Sequence, residues 1–219
     1  MTFAPRLDAL PEAQRTLWRE LAAVPTGFVL YGGTALALRF AHRPSVDFDF
    51  FCHEPLDHRA LESAVPFLAS ADTLQESANT RTVLVEREHA AVKVSFFGAI
   101  TFGRVGVPEL TDDGVLCVAS ALDVAATKIK VLLQRVESKD YLDLDVLLAR
   151  GLRLEDILAA ARTLFGHSFN PIVAQKALCY FEGGDLATLG EDVRLRLVAA
   201  ASRDLDLPEL PRVSDRLAP

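Results

Sequence analysis

The spacing of apolar positions changes character once along this chain. In the first half, apolar residues come in short runs or alternate with polar ones. After Ser120 they recur every three or four residues. Leu17, Leu21 and Val24 behind Pro11 predict a helix over 11–23, which Pro25-Thr26-Gly27 ends. Residues 28–31 predict a strand, Gly32-Gly33 a tight turn, and 34–40 a short helix rich in Ala and Leu. A polar loop over 42–46 leads to a strand at 47–52, where aspartate alternates with phenylalanine. Leu61, Val65 and Leu68 mark a helix over 57–69. Strands at 73–88 and 91–97 are expected to meet in a turn at 88–90, with shorter strand candidates at 104–107 and 115–118. Helices follow at 120–136, 138–149, 154–165, 171–182 and 191–204, the first with Ser120 as its N-cap and Asp123 three residues on.

Strands first and helices later imply an α+β fold: a mixed sheet with flanking helices, followed by a C-terminal helical bundle. The expected organisation is an α/β core over 1–118, a bundle over 119–207 that completes the site, and an extended, loose tail over 208–219. The apolar half of the composition suits an ordered protein. Cys52, Cys117 and Cys179 lie far apart without CxxC spacing, which argues against a disulfide framework or zinc site and for a reducing cytoplasm. No signal peptide is evident, and no run approaches the ~18 apolar residues of a membrane span. The net charge of −7 argues against a surface that coats nucleic acid broadly. It leaves room for a local basic patch from Arg39, Arg43, Lys128, Lys130 and Arg135.

The chemistry concentrates in residues 30–51. Gly32 and Gly33 between a strand and a helix let backbone amides approach a ligand, and the helix N-terminus favours phosphate. Thr34 adds a hydroxyl. Asp47 and Asp49, two apart on a strand, share one face, with Phe48 and Phe50 on the other. Adjacent carboxylates call for a cation, and Mg²⁺ (or Mn²⁺) with substrate phosphates meets that need. A glycine pair alone is a turn, and Asp-x-Asp alone is a solvated strand face. Their combination around one short helix resembles the signature of polymerase-beta-like nucleotidyltransferases.

A second cluster spans residues 122–148. Lys128 and Arg135 are seven apart and share a helix face, with Ala126, Ile129, Leu133 and Val136 as an apolar stripe on another. Asp140 and Asp143 share a face of the next helix, beside Lys139. An exposed face laced with ion pairs is the plainer reading, and suffices for Lys130 and Asp145. Taken in order, GGTAL, HRPSVDFDF, ATKIKVLLQR and KDYLD resemble the AbiEii/AbiGii-type nucleotidyltransferase toxins of abortive-infection and type IV toxin–antitoxin systems.

That resemblance implies transfer of a nucleotide from an NTP to an acceptor hydroxyl, with the transfer RNA 3′ end one candidate acceptor and a cognate antitoxin a candidate partner. Ser45, Asp47 and Asp49 match the family's acidic element. Lys128 matches a lysine near the nucleotide phosphates, assisted by Arg43 or Arg135. Lys139, Asp140 and Asp143 match the KDxxD-like element, whose first aspartate is a candidate catalytic group; Asp140 or Asp143 is the candidate base for the acceptor hydroxyl. One departure stands out: the strand at 91–97 offers Lys93 and Ser95 where polymerase-beta-like enzymes carry a third carboxylate. Lys93 is expected on the site side, against phosphate or a carboxylate. The alternatives are a non-catalytic NTP-binding or partner-binding module and an AMPylating, antitoxin-like enzyme that modifies a protein.

Overall fold

The computed structural model describes residues 1–88 and 90–219; His89, in the turn expected at 88–90, lies outside them. The chain forms two compact units, Met1–Ser120 with Ser214–Pro219, and Ala121–Val213.

The first unit contains β1 (Thr2–Phe3), α1 (Glu12–Leu17), β2 (Val29–Tyr31), α2 (Gly32–Phe40), β3 (Asp47–Phe51), α3 (His58–Ala64), β4 (Asp72–Ser77), β5 (Thr80–Glu86), β6 (Ala91–Phe97), β7 (Glu109–Thr111) and β8 (Cys117–Val118). Its strands form one mixed sheet in the order β1-β7-β8-β2-β3-β6-β5-β4. At its centre β3 runs antiparallel to β2 and parallel to β6. The alternation read in the sequence explains why β3 belongs there. Phe48 and Phe50 are fully buried. Phe50 stacks on Phe96 at 5.4 Å between centroids, and Phe28 meets Phe96 edge-on at the same distance. Burying each such ring is worth about 2–3 kcal/mol. Strand periodicity then turns Asp47 and Asp49 to the opposite face.

Several boundaries differ from expectation, each for a local reason. The helix over 11–23 is α1 followed by a 3-10 segment, Trp18–Ala23. Trp18 is buried there, and its Nε1 donates to Asp113 Oδ2 at 2.7 Å, which makes it a packing residue. The helix over 57–69 stops at Ala64, because Pro66 excludes helical backbone at Val65; a 3-10 segment, Pro66–Ser70, follows. The single strand expected over 73–88 is the hairpin β4–β5, paired from Asp72↔Leu84 to Ser77↔Thr80. Residues 104–107 form no strand; Arg104 makes an isolated bridge to Ser214. That bridge, with Arg104 N donating to Ser214 O at 2.8 Å, and the buried Leu217 dock the last six residues on the first unit, where a loose tail was expected.

The second unit is helical: α4 (Ala121–Val131), α5 (Ser138–Ala149), α6 (Leu154–Phe165), α7 (Pro171–Ala177) and α8 (Glu191–Ala201). Val124, Ala125 and Ala126 on α4, and Ala159, Ala160 and Ala161 on α6, are fully buried. Such small side chains let these two helices approach closely. Asn170 caps α7, its Oδ1 accepting from Ile172 N and Val173 N, with Pro171 in the first turn. The helix expected over 120–136 ends at Val131, where the chain tightens into turns (Leu133 N to Lys130 O, 3.2 Å; Gln134 N to Val131 O, 2.8 Å). Ala126 and Ile129 keep their place in the apolar stripe, while Val136 is exposed. Gly183 and Gly184 do not terminate a helix, since α7 ends at Ala177. Gly184 instead takes a positive φ and lies so close to the Val136 carbonyl that no Cβ fits.

Candidate active site

In the first unit the expected residues gather around the start of α2. The helix begins at Gly32, two residues before the expected start, so both glycines belong to its first turn. Gly32 has φ +77°, a conformation that side chains rarely adopt, and a Cβ there would lie 2.9 Å from Asp49 Oδ2. A Cβ on Gly33 would collide with the Arg43 guanidinium and lie 2.9 Å from Ser45 Oγ. The glycine pair is therefore the surface against which a carboxylate, a guanidinium and a hydroxyl are packed.

Thr34 is buried and ties the helix to the strand of acids. Its Oγ1 donates to the main-chain carbonyl of Asp47 and lies 2.9 Å from Ser45 Oγ. A positioning role thus accounts for the hydroxyl that sequence spacing suggested for phosphate. Arg43 Nη1 also donates to Pro44 O at 3.0 Å. Along β3 and β6 the register sets Asp47 opposite Lys93 and Asp49 opposite Ser95. Lys93 Nζ lies 2.8 Å from Asp47 Oδ2, with the two side chains 40% and 30% exposed. Ser95 is buried and pairs with Thr82 through Oγ1–Oγ at 3.3 Å.

In the second unit the ion cluster is closed. Lys128 Nζ reaches Asp140 Oδ1 at 2.8 Å and Asp143 Oδ2 at 2.7 Å, and both carboxylates have no exposed side-chain surface. Arg135 Nε and Nη2 hold Asp140 Oδ2 and Oδ1 at 2.8 and 3.1 Å. Lys128 and Arg135 do not share a helix face, because Arg135 lies beyond α4; they meet by converging on Asp140. Burial would raise the Asp140 carboxyl. The Arg135 hydrogen bond, then the charge and hydrogen bond of Lys128, outweigh it and hold Asp140 below the ordinary carboxylate value. Both Asp140 oxygens are engaged by cations. Its geometry suits the placing of two cations. Lys139 turns instead to Glu137 Oε2, 2.8 Å away.

Asp185 gives no sequence signal, yet it accepts from Ser138 N and Oγ at 2.6 and 2.7 Å and so caps α5, the helix that carries Asp140 and Asp143. Asp145 is more than a surface pair: Arg196 grips both its oxygens at 2.8 and 2.7 Å. Two residues considered for a basic patch make contacts within their own units. Arg39 is buried against Glu109, donates to Ala119 O at 2.8 Å and covers the Phe3 ring, while Lys130 donates to Ser168 O.

Among the described residues, no three His, Cys, Asp or Glu side chains converge in a way suited to a metal ion. Asp47 and Asp49 do share a face, beside the first turn of a helix. Mg²⁺ is ordinarily held by one or two carboxylates, with phosphate oxygens and water completing its shell. The donor set fits that smaller arrangement.

A family model described as the nucleotidyl transferase AbiEii toxin of type IV toxin–antitoxin systems matches residues 15–216. The chain belongs to the AbiEii family. The AbiEii-family chain is also similar to an uncharacterised protein of Aquifex aeolicus (strain VF5), 32% identical over 159 residues, covering 71% of this chain and 74% of that one. A crystal structure described as a candidate nucleotidyltransferase from H. pylori aligns with a TM-score of 0.57 at 18% identity, over 87% of this chain and 91% of that one. This likeness shows the fold: the nucleotidyltransferase-like α+β architecture read from the sequence holds. Among the described residues, no helix is long and apolar enough to cross a membrane.

Proposed function

We propose that this AbiEii-family protein is a cytoplasmic toxin that moves a nucleotide from an NTP to an acceptor hydroxyl, in a reaction that depends on a divalent cation. One observation carries the reading. Asp47 and Asp49 occupy one face of β3 with the Asp49 carboxylate packed on Gly32, in the first turn of α2. The two carboxylates would hold Mg²⁺ or Mn²⁺, which supplies charge neutralisation and a template for the triphosphate. The amides at Gly32 and Gly33 and the positive end of α2 favour phosphate oxygens. Arg43 and Ser45, held against Gly33, orient the triphosphate, and Lys93 lies on the same face of the sheet.

Within the second unit, Asp140 holds both Lys128 and Arg135, Asp143 holds Lys128, and Lys139 is the neighbouring cation on α5. The acceptor hydroxyl attacks the α-phosphorus, forming a phosphodiester and releasing pyrophosphate. A transfer RNA 3′ end is the acceptor we favour, with an antitoxin as cognate partner. The test is incubation with Mg²⁺, total transfer RNA and each α-labelled NTP in turn, beside Asp47→Ala. Label on RNA with the wild type alone supports the reading. Label on protein would move the acceptor to a polypeptide, and label in both samples would remove the metal-site argument.

A second reading has a specific observation in its favour: β6 carries Lys93 and Ser95 where a third carboxylate is expected. A module that binds NTP without turnover would show metal-dependent nucleotide binding and release no pyrophosphate with any acceptor.

A further inference from the structure

The side chain that stands in place of a third acid is a cation, and it is already engaged. Lys93 Nζ lies 2.8 Å from Asp47 Oδ2, in register across two parallel central strands. This contact does not look like a fold-building pair. Both side chains are part-exposed, and pairs of that kind contribute little to stability. The sheet is held at this point by the ladder and by the aromatic stack on its other face. What the contact does accomplish is electrostatic. Two carboxylates placed two residues apart repel each other unless a cation sits beside them.

We propose that Lys93 is a positioning residue, an internal counter-cation that holds Asp47 in the metal-free protein and is displaced from it when a divalent cation binds. The idea rests on the metal-binding reading given above. Lysine suits the task better than arginine, because its ammonium is a compact charge on a flexible stem that can swing away without breaking a bidentate grip. Across the ladder Asp49 faces Ser95, so Lys93 is in register with Asp47. Asp47 is the one whose occupancy is exchanged. The ammonium set free is then near bound triphosphate and available to it. A third carboxylate would bind the cation more tightly in the absence of nucleotide. A lysine does the reverse, and makes firm cation binding depend on the phosphate oxygens that the nucleotide brings.

The experiment is a Mn²⁺ titration of the full chain without nucleotide, with free Mn²⁺ read by electron paramagnetic resonance. It compares wild type, Lys93→Met, Lys93→Gln, Asp47→Asn and Lys93→Met/Asp47→Asn. The expected result is that both Lys93 variants bind Mn²⁺ about threefold or more tightly than wild type, the scale of losing one part-exposed charge pair. That gain should vanish in the Asp47→Asn background. Equal or weaker Mn²⁺ binding in the Lys93 variants, with binding still lost in Asp47→Asn, would overturn the counter-cation role and leave the metal reading standing. Mn²⁺ binding that is absent, or indifferent to Asp47→Asn, would overturn both. A structural role for Lys93 would shift the unfolding temperature without tightening Mn²⁺ binding, and that result also counts against the proposal.

Discussion

Both units gather lysine, arginine and aspartate, and they do so in opposite ways. In the first, the Asp47–Lys93 pair is part-exposed and rests on a sheet whose stability comes from elsewhere. In the second, Lys128, Asp140 and Asp143 are buried, and every contact among them is short. A part-exposed ion pair is cheap to break and remake, which suits a site that must exchange ligands. A buried one resists rearrangement, because removing one partner strands a charge away from water. The same residue types thus serve a mobile electrostatic task in one place and a fixed one in the other.

The sharpest break in that comparison is at Asp47. Asp47→Ala should lower nucleotide transfer by about 1,000-fold, roughly 4 kcal/mol of transition-state stabilisation. The unfolding temperature should stay close to that of the wild type. A large drop in unfolding temperature would mean that the exposed cluster is structural after all. Asp140→Asn should do the opposite in kind. It leaves Lys128 and Arg135 short of a buried charge and should cost about 3–5 kcal/mol of stability, read by denaturant titration. A stable Asp140→Asn protein that has lost transfer would put Asp140 among the reacting groups.

A smaller effect is expected at Gly33. A Cβ there meets the Arg43 guanidinium and the Ser45 hydroxyl, so Gly33→Ala should weaken NTP binding by about tenfold, near 1.4 kcal/mol. Equilibrium dialysis of nucleotide checks it. Arg43 is long and can yield, which keeps this effect below that of Asp47.

Acid should distinguish the clusters more gently. Asp140 is held below its ordinary value of 3.8, so the stability it confers is complete above that pH and is lost as the pH falls toward and through the lower folded value. Helix content followed at acidic pH should therefore fall, with Asp140→Asn losing this part of the dependence. Equal acid sensitivity in that variant would place the effect elsewhere.

The sequence made the first cluster more legible than the second. Alternation along β3 is a local property, so the burial of Phe48 and Phe50 and the shared face of Asp47 and Asp49 could be read from five residues. The hairpin β4–β5 escaped because β4 is exposed along its whole length and offers no apolar pattern, and its turn at 78–79 contains no glycine or proline. The pairing of Arg135 with Asp140 was not anticipated; Arg135 was expected to share a helix face with Lys128. The geometry inferred for it, a continuous helix to 136, was mistaken. Helical spacing continues to Val136, and what lies against the Val136 carbonyl is Gly184, nearly fifty residues away. The cap that Asp185 provides for α5 is equally remote from it in sequence. A pattern within one segment cannot report a partner that far off. The surroundings of Asp140 escaped for a related reason: its basicity is set by how many cations reach it, which spacing alone does not count.

The burial of Trp18 has a practical side. It is the only tryptophan in the chain, and its indole bonds Asp113 within the first unit, whereas five of the eight α-helices among the described residues lie in the second. Indole emission therefore reports on the sheet unit, while far-ultraviolet ellipticity is weighted toward the helical one. The two signals, recorded on a single sample without any label, tell whether the units melt together or one after the other.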